Sequence, residues 1–139
     1  MSDIDFIKRE MTFNQQIEKV WDAITQPDQI AKWFGDTAAF ELQEGNEGYF
    51  EWRTMCEGRY AMKVISVNPV NYFAYMWMND PDVPFEASEA TLVEWTLNRT
   101  VNGKTHLILI ESGFKQKQHR KMNIQGWHQE LRHLVEFLS

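Results

Sequence analysis

The chain has 139 residues, 43% of them hydrophobic and 24% charged, with a net charge of −6. That length suits one domain with a sizeable core, and the acidic balance argues against nucleic acid or an anionic membrane as main partner. No run approaches the roughly 18 apolar residues of a membrane span, the N-terminus lacks a charged-then-apolar leader, and one cysteine, Cys56, excludes an internal disulfide; a cytoplasmic protein is expected.

In chain order, residues 6–13 alternate Ile7, Arg9, Met11 and Phe13 with polar neighbours and predict a strand. Asn14 is placed to cap the following helix, in which Ile17, Val20, Trp21 and Ile24 make an apolar stripe. Pro27 opens a second short helix running through Ile30 to Trp33 and Phe34, and Gly35 closes it. From Ala38 the period falls to two: Phe40 and Leu42 share a face, then Phe50 and Trp52. Glu57-Gly58 turns the chain into a strand over 59–67, where Arg59 and Lys63 share parity with Ile65 and Val67, and a bulge near Lys63 reconciles the two. A turn at 68–71 leads to Phe73, Tyr75 and Trp77 on one face of the next strand. Pro81 and Pro84 make 79–86 a loop. Val93, Trp95 and Leu97 alternate along the following strand, and Asn102-Gly103 turns it back into 105–112, apolar on both faces.

The last stretch, 118–139, is a long amphipathic helix whose stripe is Ile124, Trp127, Leu131, Leu134, Val135 and Leu138. Following a run of antiparallel strands, it must bury that stripe on the sheet. Gly126 inside it costs about 1 kcal/mol relative to Ala, so close packing of a ring or strand against it is expected. Six Trp, nine Phe and four Tyr supply either a ring-filled core or a pocket wall for flat, greasy ligands.

Motifs for established chemistries are missing. There is no glycine-rich phosphate loop, and the helix histidines His128 and His133 are five apart, so they cannot share a metal as an i, i+4 pair does. No cofactor or metal is expected. Glu111 shares parity with Leu107 and Leu109; it either faces the helix as a desolvated carboxyl or sits hydrated at the strand's open end. Glu94 faces solvent. The basic run Lys115, Lys117, His119, Arg120 and Lys121 opposes the helix dipole and reads as a solvated loop or a contact for an anionic group.

Taken together, an ordered set of residues resembles the activator-of-Hsp90-ATPase-homologue-1-like family of the START-like (Bet v 1-like, SRPBCC) superfamily. The set comprises residues 20–25 (VWDAIT), Pro27 through Trp33-Phe34, Gly48-Tyr49-Phe50, Glu57-Gly58, Pro69 before Tyr75-Met76-Trp77, Glu111-Ser112-Gly113-Phe114 and Gly126-Trp127. The resemblance implies an α+β helix-grip fold, β-α-α-β6-α, in which a curved antiparallel sheet wraps the C-terminal helix as a single domain over 1–139. It also implies a cavity between sheet and helix that takes a small hydrophobic molecule. Carried onto this chain, the walls are Trp33, Phe34, Phe50, Trp52, Met62, Tyr75, Trp77, Trp95, Leu109, Trp127 and Leu131, with Glu111 or Tyr75 orienting the ligand. Glu111 stands where relatives often have His, which changes the polar anchor. Two other roles follow from the same resemblance: a homodimerising or chaperone-linked interaction module, and a cyclase- or hydrolase-type enzyme using Glu111 as acid or base.

Overall fold

The structure, a computed structural model, describes residues 5–139. The chain runs β1 (Ile7–Phe13), α1 (Ile17–Thr25), α2 (Pro27–Ile30), β2 (Thr37–Ala39), β3 (Glu47–Trp52), β4 (Gly58–Asn68), β5 (Tyr72–Trp77), β6 (Thr91–Arg99), β7 (Thr105–Ser112) and α3 (Lys117–Leu138). All seven strands form one antiparallel sheet in the order β1-β7-β6-β5-β4-β3-β2. This is the helix-grip arrangement: the two short helices lie between β1 and β2 in the chain, and α3 ends it.

Alternation fixes which side is the core. Phe73, Tyr75 and Trp77 on β5, Val93, Trp95 and Leu97 on β6, and Leu107 and Leu109 on β7 are all buried. They share that core with Trp127, Leu131, Leu134 and Leu138 of α3. Burying each such side chain is worth about 1.5–3 kcal/mol, so the concave face and the helix stripe hold each other in place. Gln15 donates to the Leu138 carbonyl, and Arg120 Nε donates to the Phe6 carbonyl at 3.2 Å, tying the two ends of α3 to the chain around β1.

Several sequence expectations are corrected. Asn14 is not the cap; Gln16 holds that position in extended conformation and makes no side-chain cap bond. The bulge expected near Lys63 falls between Val64 and Ser66, and Lys63 itself stays in register opposite Glu47 and Met76. Ile65 is the residue pushed outward, 39% exposed, and Val67 thereby returns to the core side. The strand after α2 stops at Ala39, so Phe40 and Leu42 pack against the core from the following loop. Val135, 44% exposed, falls off the buried stripe, and Glu130 is buried in the same helix. An added Cβ at Gly126 would meet nothing within 4 Å, so no ring or strand packs against it.

Gly35, expected to close the second helix, is where a close approach is found. Its φ of +70° turns the chain after Phe34, and a Cβ there would lie 2.9 Å from the Glu51 carbonyl and 3.1 Å from the Trp52 ring. That contact sets the α2–β2 turn directly against Trp52.

Candidate functional site

Glu111 is the most unusual buried group in the molecule. Parity on β7 turns it inward with Leu107 and Leu109, and it is 0% exposed; the hydrated alternative is overturned. Five hydrogen bonds reach it from three elements, β5, β6 and α3. Oε2 accepts from Trp77 Nε1 at 2.8 Å and from Thr91 Oγ1 at 2.5 Å. Oε1 accepts from Trp127 Nε1 at 2.7 Å, and Asn123 Nδ2 donates to both oxygens at 3.1 Å. Asn123 and Trp127 are four apart on α3, so one helical turn presents both donors to one carboxyl. Asn79 closes the cluster, donating to Thr91 Oγ1 at 3.0 Å and accepting from Asn123 at 2.6 Å. A carboxylate offers about four lone-pair positions, so the protein's own donors saturate Glu111. Burial raises its carboxyl above the ordinary range, against the opposing effect of the bonds from Thr91, Trp77, Trp127 and Asn123.

A cavity of about 260 Å³ opens beside this cluster, between the sheet and the N-terminal half of α3. Its aromatic walls are Phe34, Trp52, Tyr60, Trp77 and Trp127. Phe34 is central: its ring lies 4.9 Å from Trp52, 5.7 Å from Trp77 and, stacked, 5.3 Å from Trp127. Trp52 stands edge-on to Tyr60 at 5.4 Å. The helix side adds Met122, Asn123, Gln125, Gly126, Gln129 and Glu130, and the β3–β4 turn adds Met55 and Cys56 at the rim. With no side chain, Gly126 leaves the opening clear. Tyr60 donates to the Cys56 carbonyl at 2.8 Å; burial first, then the Cys56 thiol and the carboxylates of Asp82 and Asp80, raise its hydroxyl above the ordinary value.

Of the residues predicted as walls, Phe34, Trp52, Trp77 and Trp127 border the cavity, and Glu111 lies behind it, bonded to two of them. Trp33, Phe50, Met62, Tyr75, Trp95, Leu109 and Leu131 do not line it; they are buried in the packed core. Trp33 is held there by its Nε1 bond to the Ala23 carbonyl at 2.8 Å and stands edge-on to Trp95 at 6.0 Å. Tyr75 tilts against Phe50 at 5.2 Å; burial and the nearby Glu111 charge push its hydroxyl well above its usual range. These rings fill most of the concave face, which confines the open space to the end near Trp52.

Sequence reasoning passed over Tyr60, Asn79, Thr91, Asn123 and Glu130. A signal for the helix pair exists: Asn123, Trp127, Glu130 and Leu134 recur at steps of four, three and four, so they share one side of α3. Glu130, 8% exposed, accepts from Trp52 Nε1 at 3.1 Å through one oxygen and contacts His133 Nδ1 at 2.9 Å through the other. Of the basic run, Lys115 donates to the Ala90 and Gly113 carbonyls, His119 contacts Asp80, and none of the five lines the cavity. Among the described residues no three His, Cys, Asp or Glu side chains gather as a metal site, and no helix is long and apolar enough to cross a membrane.

The family profile described as Activator of Hsp90 ATPase homolog 1-like protein matches residues 14–139. The chain belongs to this family. Solved structures share the fold. Protein MLL2253 from Mesorhizobium loti is 26% identical with a TM-score of 0.78, covering 96% of this chain and 96% of that one. CalU16 from Micromonospora echinospora is 21% identical with a TM-score of 0.76, over 96% of this chain and 76% of that one. The Aha1 dimer from Colwellia psychrerythraea is 19% identical with a TM-score of 0.74, over 96% and 95%. No curated protein matches the chain.

Proposed function

We propose that this family member binds a small apolar or aromatic molecule in the cavity between the sheet and α3. The observation that carries this reading is the 260 Å³ space bordered by five rings, with the buried Glu111 cluster behind it. Ring-lined concavities with few polar groups are the usual form of small-molecule sites, which span about 300–1,000 Å³. The volume here lies just below that range and favours one- or two-ring molecules over long acyl chains. Glu111 holds Trp77, Trp127 and Asn123 in position. With its lone pairs occupied and its surface buried, it does not fit a role as acid, base or direct ligand anchor. That argues against the enzyme reading built on it.

Thermal-shift titration with neutral one- and two-ring compounds tests the proposal. Several should raise Tm, and Gly126→Leu, whose side chain enters the opening, should abolish the rise while leaving the unliganded Tm close to wild type. If no compound stabilises the protein, or if the leucine variant responds equally, the cavity is not a binding site.

A second reading, self-association, draws support from the dimer formed by the Colwellia relative. Light scattering at several concentrations decides it: a mass near that of one chain throughout would exclude it.

A further inference from the structure

Among the described residues Glu130 is the only carboxylate on the cavity wall, and none of them places a Lys, Arg or His there. It differs from Glu111 in what it has left to offer. Its two oxygens engage Trp52 Nε1 and His133 Nδ1, one contact each, so about half of the roughly four acceptor positions of a carboxylate remain open. It faces the space shared by Trp52 and Trp127, and indole faces attract cations through their ring quadrupole. A carboxylate beside several aromatic faces is poorly suited to an anionic ligand, because the like charge would be confined where water is scarce.

We infer that the cavity selects a cationic ligand, an aromatic or short alkyl amine, with its ammonium group bonded to Glu130 and its apolar part against Phe34, Trp52 and Trp127. The inference rests on the cavity being the binding site. An ammonium carries donors but no acceptor, which suits a wall that presents open acceptor positions. A neutral ligand of the same shape would keep the ring contacts and lose the charge-assisted bond.

Calorimetric titration with three matched probes tests this: 2-phenylethylamine, 2-phenylethanol and phenylacetate, at neutral pH and low salt. The amine should bind at least about tenfold more tightly than the alcohol, equivalent to about 1.4 kcal/mol, and phenylacetate should bind weakest. Glu130→Gln should weaken the amine about tenfold and leave the alcohol unchanged. If the alcohol or the acid binds wild-type protein as tightly as the amine, the cation inference is overturned while the cavity reading stands; this comparison needs no variant. If the amine preference survives in Glu130→Gln, Glu130 is not the anchor and the inference fails. If none of the three binds at millimolar concentration, both readings fail.

Discussion

Two buried carboxylates serve one cavity, and they differ in how much of their bonding capacity the fold consumes. Glu111, near the end of β7, receives five hydrogen bonds and has no exposure; Glu130, on the helix wall, makes two contacts and keeps 8% of its surface exposed. A saturated carboxylate fixes geometry, because removing it strands every donor aimed at it. An unsaturated one at the cavity wall remains available to something else. The difference separates the part of the site that builds the pocket from the part that meets its contents.

The largest expected effect falls on the first of these. Glu111→Leu leaves the Trp77 and Trp127 indoles and the Thr91 hydroxyl without their acceptor and the Asn123 amide with Asn79 alone, and should lower unfolding stability by roughly 3–5 kcal/mol. Urea denaturation measures it. Glu130→Gln keeps an acceptor for Trp52 and should cost about 1 kcal/mol or less. Equal losses in the two variants would erase the distinction drawn between them.

The pH dependence sharpens the same contrast. Burial raises the folded-state value of Glu111 above its ordinary 4.5. Below 4.5 the group is protonated in both states and the penalty is absent. As pH rises from there through the raised folded-state value, the unfolded chain ionises first and stability falls. Denaturation of wild type and Glu111→Gln across that window should therefore show wild type losing stability relative to the variant as pH increases. A relative gain would mean that the four donors outweigh desolvation.

The smallest effect is at Gly126. Because an added Cβ meets only open space, Gly126→Ala should stabilise the protein by up to about 1 kcal/mol through helix propensity alone. A loss of stability would mean that the helix is tighter there than its surroundings indicate.

Much of the fold could be read from periodicity, because each strand that buries one face must alternate and α3 must present a stripe. Parity also turns Trp77 and Trp95 inward, and for Glu111 it leaves an inward carboxyl and a hydrated one both open. What parity lacks is depth. Whether a row of inward rings leaves a space depends on side-chain volumes meeting across the fold, and here Trp33, Phe50, Tyr75 and Trp95 close what the sequence left open. The bulge was legible to within two residues, at Ile65 beside Lys63, because a strand of mixed charge and apolar residues tolerates more than one register break. Gly126 was read as close packing, whereas its missing side chain opens the cavity rim; the helix-propensity cost is the same in both cases. Val135 sits at the stripe's margin, roughly 60° from its centre at about 100° per residue, where the sheet no longer covers it.

The most direct test of the central claim follows the six indole N–H resonances by NMR while a small aromatic amine is titrated in. Trp52, bonded to Glu130, should shift most; Trp77 and Trp127, bonded to Glu111 and bordering the cavity, should shift less, and Trp33, bonded to the Ala23 carbonyl, should stay in place. Saturating shifts at Trp33 with Trp52 unmoved, or none at all, would contradict the account.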